Sequence, residues 1–240
     1  MSKLKAVLFD LDDTLYPEMQ YVRSGFRHVS RSLFTDKSMQ EKAYCRMLEL
    51  FSEDKNHVFD NLSEELIQTG IHSIVDSLDA SDLAIFMICG YRNHTPEISL
   101  YRDAKYILKK LLDSGLKLGL VTDGWRAVQR RKVEALNLEP LFDCIIFTDE
   151  LGPDRKYWKP SPYPFELAIE NMGVSVEEVC YVGDNPSKDF QGPAAIGIPT
   201  IWIRRKAGVY FDACVTIEPT FQIPDLMKLE ELTLFRCSCQ

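Results

Sequence analysis

Five short apolar runs, rich in β-branched residues, constrain what this chain of 240 residues can fold into. They lie at residues 4–10, 116–121, 144–148, 179–183 and 198–203. Helix-like stretches lie near residues 103–114, 125–137, 162–172 and 187–196. Because strands that alternate with helices pair in parallel, this order predicts an α/β fold with a Rossmann-like parallel sheet and helices on both faces. The functional residues of such a sheet collect at the carboxyl ends of its strands.

The interval 16–97 interrupts this alternation. It is rich in helix formers at amphipathic spacing and nearly lacks strand signals. We therefore expect a small α-helical cap domain at 16–97, inserted after the first strand, and an α/β core domain formed by 1–15 and 98–240. Near the end of the core, Val215-Thr216-Ile217 predicts a further edge strand, and a last helix is predicted from about residue 225.

The charge and composition of the chain exclude several kinds of partner. Lys and Arg number 28 against 36 Asp and Glu, a net charge of −8, whereas nucleic-acid binding requires basic surface. No apolar run approaches the ~20 residues that span a bilayer. The chain also passes from a charged lead directly into the first strand, without a signal peptide. We therefore expect no nucleic-acid partner, no membrane partner and a cytoplasmic location, while the oligomeric state is left open.

The cysteines of the chain favour reduced thiols. There are seven, an odd number, and most sit in apolar surroundings, which suits packed thiols better than a disulfide framework. Cys237 and Cys239 have no second pair at metal-ligand spacing, so no zinc site is expected there.

Polar residues follow the carboxyl ends of the first four predicted strands. Asp10 and Asp12 follow the first strand and, since side chains alternate along a strand, they start on the same side. The later strands lead to Thr122-Asp123-Gly124, to Lys159-Pro160, and to the segment from Gly183-Asp184 to Asp189. Carboxylates, a hydroxyl and a lysine therefore converge on one edge of the sheet. Crowded carboxylates of this kind need a divalent cation or a shared proton.

Transfer of a phosphoryl group to a carboxylate is the chemistry that needs this set. A carboxylate that approaches a phosphate dianion is repelled, and a hard cation such as Mg²⁺, held by Asp10 and Asp184, removes that obstacle. Lys159, the Thr122 hydroxyl and backbone N–H groups beside it are candidates to hold the phosphate oxygens. The carboxylate two residues beyond the nucleophile, Asp12, can protonate the leaving alkoxide and then activate water.

On these motifs the chain resembles the haloacid dehalogenase-like hydrolase superfamily, in the phosphatase branch whose helical cap is inserted just after the first motif. The resemblance covers 1–15 and about 98–210 by motif, and 16–97 only by position and helical character. It implies that Asp10 is the nucleophile and Asp12 the general acid/base, with the Asp12 backbone carbonyl also binding Mg²⁺.

The later motifs map onto the chain in the same way. The threonine of the second motif corresponds to Thr122 and the lysine of the third to Lys159. The fourth motif implies that Asp184 is a metal ligand and that Asp189 is the partner of the lysine. The loop before Lys159 also holds Lys156, so the choice between two lysines stays open.

The expected function is that of a Mg²⁺-dependent phosphatase that hydrolyses a small soluble phosphate monoester through an aspartyl-phosphate. The superfamily's dehalogenases lack a carboxylate two residues after the nucleophile, because a halide needs no proton, and Asp12 therefore favours phosphate chemistry. A sugar phosphate or nucleoside monophosphate is the expected substrate, since a small cap covers the site only in part. The alternatives are a capped phosphomutase, a phosphorylated signalling receiver, which would be about half this length without a cap, and a non-catalytic binding protein.

The cap and the loops beside the motifs are expected to contact the leaving group and exclude water. Arg92 lies near a cap junction, and Trp125 and Arg126 follow the second motif directly. The predicted substrate contacts are Thr122, Asp123, Gly124, Lys159, Arg92, Trp125 and Arg126.

Overall fold

The computed structural model describes residues 4–70, 75, 77–206 and 208–236. The chain divides into two compact units, one formed by Met1–Glu18 with Ser99–Gln240 and the other by Met19–Ile98. Each unit has a hydrophobic core of its own. The first is called the α/β unit below, and the second the helical unit.

The α/β unit is built on a sheet of six parallel strands. The strands are β1 (Ala6–Phe9), β2 (Lys117–Thr122), β3 (Cys144–Phe147), β4 (Val179–Gly183), β5 (Thr200–Ile203) and β6 (Phe221–Ile223). Their spatial order is β3-β2-β1-β4-β5-β6, so the strand order reverses between β1 and β4. Ligands bind beside such a reversal, at the carboxyl ends of the strands. The sheet confirms the predicted α/β, Rossmann-like fold.

The described part of the α/β unit contains five α helices. They are α5 (Arg102–Asp113), α6 (Arg126–Ala135), α7 (Tyr163–Met172), α8 (Gln191–Ala195) and α9 (Thr233–Arg236). Of these, α5 packs on β2, and α6 packs on β3. Helix α7 packs on β2 and β3, where Phe165, Ala168 and Met172 join the core formed with Leu8 and Tyr181. The strands β1 and β4 are buried throughout, which explains why their sequences are continuous apolar runs.

The helical unit consists of α1 (Glu18–Leu33), α2 (Lys37–Glu53), α3 (Val58–Thr69) and α4 (Ala80–Asn93), apart from the first residue of α1. Asp36 and Asp79 cap the starts of α2 and α4, since each carboxylate accepts a backbone hydrogen bond from the residue three positions later. Apolar side chains at helical spacing, such as Phe26, Met47 and Met87, form its core.

Three predictions for the elements of the α/β unit differ from the structure. Residues 215–217 form no strand; the edge strand is Phe221–Ile223, because Thr200 and Thr220 exchange hydrogen bonds from backbone N–H to hydroxyl and fix its register. The helix predicted at 187–196 is confined to Gln191–Ala195. The predicted last helix consists of a 3₁₀ helix at Leu226–Glu231 followed by α9.

Among the described residues, no helix is both long and apolar enough to cross a membrane. The five cysteines within the described ranges form no disulfide. Cys144 and Cys180 are buried as predicted, whereas Cys45, Cys89 and Cys214 are exposed. The remaining two, Cys237 and Cys239, lie outside the described residues.

Close packing of α8 gives a test of this arrangement. A Cβ atom at Gly192 would lie 2.7 Å from the Ser161 carbonyl oxygen and 2.8 Å from that of Pro160, and both are backbone atoms. We expect Gly192→Ala to lower the free energy of unfolding of the α/β unit by about 1–3 kcal/mol. Urea unfolding followed by tryptophan fluorescence measures this, because all three tryptophans, Trp125, Trp158 and Trp202, lie in that unit.

Gly90 in α4 is the matched control. A Cβ atom there would meet nothing closer than 3.8 Å, so alanine fits and restricts the unfolded chain. We expect Gly90→Ala to stabilise the helical unit by about 0.5–1 kcal/mol, measured by far-ultraviolet circular dichroism. If Gly192→Ala were neutral or stabilising, the close approach of α8 to residues 160–161 would be contradicted.

Candidate active site

The reversal of strand order brings two acidic motifs together. Asp10 follows β1, and its backbone N–H donates to the Val182 carbonyl of β4 at 2.9 Å. Asp184 follows β4 directly. Asp10, Asp184 and Asp189 are all buried, and each offers a carboxylate oxygen within 4.8 Å of the others. The predicted convergence of these side chains on one sheet edge is therefore present.

A fully buried lysine lies among these carboxylates. Lys159 Nζ donates to Asp10 Oδ1, to Asp189 Oδ1 at 2.8 Å and to the Tyr181 hydroxyl at 3.1 Å. The Tyr181 hydroxyl in turn donates to Asp189 Oδ1 at 3.0 Å. Lys156 is exposed, and its Nζ lies 5.0 Å from the ring of its neighbour Tyr157. Of the two lysines in this loop, the structure therefore brings Lys159 to the carboxylates.

The three carboxylates differ in how well they are compensated. Burial raises the pKa of Asp10 to about 6, although Lys159 opposes the shift. Burial, together with the negative charges of Asp10 and Asp189, raises the pKa of Asp184 well above its ordinary value. Burial also acts on Asp189, but Lys159 and Lys188 outweigh it and lower its pKa. Asp189 is thus satisfied by its neighbours, whereas the ionised forms of Asp10 and Asp184 are only partly compensated by the cations near them.

This arrangement fits a magnesium ion. Its donors are all oxygen atoms, the ligands that hard divalent cations prefer. Asp10 and Asp184 lack sufficient positive charge around them, and a cation between them would supply it. The Asp12 carbonyl accepts a hydrogen bond from the Thr14 N–H at 2.6 Å and retains its second lone pair.

Thr122 ends β2 beside Asp10's strand and is buried. Its hydroxyl oxygen accepts a hydrogen bond from Gln129 Nε2 at 2.6 Å, so the hydroxyl hydrogen is left to be donated to another group. Gly124 has φ of 129°, and a Cβ atom there would lie 3.1 Å from the Gln129 side chain. The backbone turn after β2 therefore requires glycine at this position.

Asp123 is placed differently from a substrate contact. Its Oδ1 accepts hydrogen bonds from the Thr148 hydroxyl at 2.8 Å and from the Lys159 backbone N–H at 3.1 Å. Its Oδ2 lies 3.7 Å from Lys188 Nζ. The Asp123 carboxylate therefore ties the turn after β2 to two points of the connection after β3, its start at Thr148 and its later part at Lys159.

The other predicted substrate contacts lie at exposed positions. Trp125 is 49% exposed at the start of α6, where the Arg155 guanidinium lies 5.9 Å from its ring. Arg126 is exposed, and its backbone N–H donates to Asp149 Oδ2 at 3.0 Å. Arg92 is exposed on α4 of the helical unit. The contact of these three side chains with a substrate remains a prediction.

Three side chains outside the predicted site residues, Lys132, Gln129 and Tyr16, surround the Asp12 carboxylate. This carboxylate accepts hydrogen bonds from Lys132 Nζ at 2.7 Å, from Gln129 Nε2 at 2.9 Å and from the Tyr16 hydroxyl. Burial alone would raise the pKa of Asp12, but Lys132, Tyr16 and Gln129 lower it below its ordinary value. The signal was available in the sequence: Gln129 and Lys132 share the buried face of α6 with Val133, where polar side chains are unusual.

The loop between Asp12 and α1 is fixed by an ion pair. Arg205 Nη2 donates to the Thr14 carbonyl at 2.9 Å, and Arg205 Nη1 donates to Asp103 Oδ2 at 2.9 Å. The Tyr101 N–H donates to the Leu15 carbonyl, also at 2.9 Å. These bonds hold the loop after the first motif to α5 and to the end of β5.

Known proteins resemble this chain in sequence and in fold. The sequence model of the family described as haloacid dehalogenase-like hydrolase matches residues 7–203. Over 217 residues the chain is 32% identical to a glyceraldehyde 3-phosphate phosphatase of Methanopyrus kandleri, with 87% of both chains covered. Over 244 residues it is 28% identical to the N-acylneuraminate-9-phosphatase of Rattus norvegicus, covering 97% of this chain and 94% of the relative.

A solved structure gives the same fold. The HAD-hydrolase YfnB of Bacillus subtilis, crystallised with magnesium, is 20% identical and has a TM-score of 0.65. The match covers 96% of this chain and 98% of YfnB. This likeness concerns the fold, whereas the family match and the two relatives are similar to the chain in sequence.

Neutralising Asp184 and Asp189 is expected to change stability in opposite directions when no metal is bound. Folding raises the pKa of Asp184, so at neutral pH the fold must bind a proton there or bury an unpaired charge, and Asp184→Asn removes that cost. Folding lowers the pKa of Asp189, whose charge is paired with Lys159, and Asp189→Asn should cost about 3–5 kcal/mol. Thermal unfolding at pH 7 in a chelator, followed by tryptophan fluorescence, measures both changes.

Magnesium added to the same samples tests the metal site. The unfolding temperature of the wild type should rise with Mg²⁺ concentration, because a ligand that binds only the folded state stabilises it. Asp184→Asn should lose most of that rise. An equal rise in the wild type and in Asp184→Asn would place the magnesium elsewhere.

Proposed function

This chain belongs to the haloacid dehalogenase-like hydrolase family, and from that premise we propose that it is a Mg²⁺-dependent phosphatase that works through an aspartyl-phosphate. It is a hydrolase acting on phosphate monoesters, as the sequence predicted. The observation that carries the mechanism is the pairing of Lys159 with Asp10 where the buried carboxylate of Asp184 also lies within 4.8 Å. A phosphate dianion and a carboxylate nucleophile can meet only where positive charge surrounds both.

The first half of the proposed reaction transfers the phosphoryl group to Asp10. A carboxylate oxygen of Asp10 attacks phosphorus, the bond from phosphorus to the leaving oxygen breaks, and the electron pair stays on that oxygen. Bound Mg²⁺ would supply the positive charge that Asp10 and Asp184 lack. Lys159 keeps Asp10 oriented, and the Thr122 hydroxyl hydrogen is available to a phosphoryl oxygen.

Asp12 moves protons in both halves of the proposed reaction. In its acid form, which the lowered pKa makes the minor form at neutral pH, it gives a proton to the leaving alkoxide and becomes a carboxylate. In the second half that carboxylate takes a proton from water, which attacks the phosphorus of the aspartyl-phosphate and releases inorganic phosphate and free Asp10. A halide leaving group would need no proton, and so Asp12 supports phosphate chemistry.

We place the substrate among small phosphorylated metabolites, of the sugar phosphate or nucleoside monophosphate type. The relatives support the class, since their names give glyceraldehyde 3-phosphate and N-acylneuraminate 9-phosphate as substrates. We propose that the helical unit acts as a cap over the leaving group and contributes Arg92, while the α/β unit contributes Trp125 and Arg126.

Replacing the nucleophile tests the proposed intermediate. Asp10→Asn should abolish turnover of phosphate monoesters, because an amide does not attack phosphorus. The wild type, quenched in acid during turnover of a ³²P-labelled substrate, should carry phosphate that hydroxylamine removes, as expected for an acyl phosphate. Substantial hydrolysis by pure Asp10→Asn, or no labelled protein in the wild type, would contradict the mechanism.

Replacing the proposed proton carrier gives a separate test. Asp12→Asn should lower kcat by about 10²–10⁴-fold, the usual contribution of general acid–base catalysis. It should leave the Mg²⁺-dependent rise in unfolding temperature largely intact, because the Asp12 carbonyl does not depend on its side chain. A product assay with a sugar 1-phosphate separates the two reactions: inorganic phosphate supports a phosphatase, and an isomeric sugar phosphate identifies a phosphomutase.

A further inference from the structure

The Asp12 side chain is held by three donors from outside its own motif. Lys132 and Tyr16 both donate to Oδ1, and Gln129 donates to Oδ2. Lys132 and Gln129 come from α6, more than 110 residues further along the chain. The carboxylate itself remains 23% exposed, whereas the Lys132 side chain is only 5% exposed. The buried Lys132 side chain therefore contacts a carboxylate, that of Asp12, which is partly accessible to solvent.

Gln129 connects this carboxylate to the proposed phosphate contact. Its amide nitrogen donates one hydrogen to Asp12 and the other to the Thr122 hydroxyl oxygen. Both hydrogens of the amide are thereby used, so the distance between the two acceptors is set by one planar group. A shift of Asp12 relative to Thr122 would break one of these bonds.

The burial of Lys132 is not explained by stability. Burying an ammonium group costs desolvation that an ion pair rarely repays in full, and apolar residues of similar size are often neutral or stabilising in its place. Val133 and the apolar strands nearby show that this face of α6 packs against a core. A methionine or leucine would serve that packing. The position holds a lysine whose amine meets the one carboxylate that the proposed reaction uses for proton transfer.

We propose that Lys132 is a positioning residue for proton transfer: together with Gln129, it holds Asp12 where the leaving oxygen of the substrate lies. This inference rests on the proposed function, because it assigns Lys132 to the step that Asp12 performs. Lys132 acts through Asp12 and does not itself contact the phosphoryl group. Replacing Lys132 should therefore lower the hydrolysis rate most for substrates whose leaving group is strongly basic and must be protonated as it departs.

The dependence of kcat/KM on the leaving group separates a positioning role from a purely structural one, because a general loss of structure would lower kcat/KM for all substrates alike. An alkyl phosphate such as glycerol 3-phosphate releases a strongly basic alkoxide, whereas p-nitrophenyl phosphate releases a weakly basic phenoxide that needs little protonation. The measured quantity is kcat/KM, which covers the steps up to the departure of the leaving group. Lys132→Met should lower kcat/KM for glycerol 3-phosphate roughly 10²-fold, the effect of misplacing a catalytic group by about 1 Å. For p-nitrophenyl phosphate the loss should stay below about tenfold.

A double-mutant cycle tests whether Lys132 acts through Asp12. In the Asp12→Asn background, Lys132→Met should lower kcat/KM for glycerol 3-phosphate by less than about threefold, because the group that it positions is already disabled. Multiplicative losses, with the same 10²-fold factor in both backgrounds, would overturn the proposal. The double variant also removes both charges of the pair, so it avoids the unpaired carboxylate that could unfold the single variant.

Two controls keep the outcomes distinct. Lys109→Met removes an exposed lysine on α5 and should leave both kcat/KM values unchanged. The wild type must hydrolyse p-nitrophenyl phosphate and an alkyl phosphate with Mg²⁺, and a wild type that hydrolyses no phosphate monoester would reject the proposed function before Lys132 is tested. If the wild type is active and Lys132→Met loses the same factor on both substrates, the positioning role is wrong while the proposed function stands.

Discussion

The burial of several carboxylates against few cations is the constraint on which the rest of this site depends. Asp10, Asp184 and Asp189 approach within 4.8 Å of one another in a region that water scarcely reaches. The buried Lys159 lies between Asp10 and Asp189, and its Nζ also donates a hydrogen bond to the Tyr181 hydroxyl. Lys159 and the more distant Lys188 do not compensate all three carboxylates, and the excess negative charge falls on Asp10 and Asp184, the pair beside the reversal of strand order. The fold thus holds an excess of negative charge that a bound divalent cation would neutralise.

Such an imbalance persists only if the backbone leaves the side chains no room to separate. Gly183 is one reason, because a Cβ atom there would lie 2.6 Å from Asp189 Oδ2. The Asn185 N–H donates to that same oxygen at 2.9 Å, which fixes Asp189 from the other side. Asp123 holds the backbone of Lys159 in a similar way. The parallel strands fix where each loop begins, and these hydrogen bonds fix the positions of the charged side chains on the loops.

The strands and the motif residues could be predicted from the sequence because both depend on local patterns. Apolar runs predicted five of the six strands, and the order of motifs at their ends predicted which carboxylates meet. The strand predicted at residues 215–217 was wrong. The edge strand lies at Phe221–Ile223, and its register depends on hydrogen bonds between Thr200 and Thr220, which local patterns do not specify. Lys132 and Gln129 were also missed. Their meeting with Asp12 depends on how α6 packs against the first loop, and no pattern within either segment specifies that contact.

The two aspartates of the first motif show how neighbours, and not residue type, divide the chemistry. Leu11 separates them and is fully buried, so Asp10 and Asp12 leave the strand end as near neighbours. Burial raises the pKa of Asp10 to about 6, whereas Lys132 and its companions lower that of Asp12 against the same effect of burial. Here the raised pKa of Asp10 reflects burial without a second cation, which bound Mg²⁺ would supply, whereas the three donors hold Asp12 as a carboxylate, the form that takes a proton from water. A lysine 120 residues away from Asp12 is therefore as much a part of the first motif's chemistry as the residues beside it.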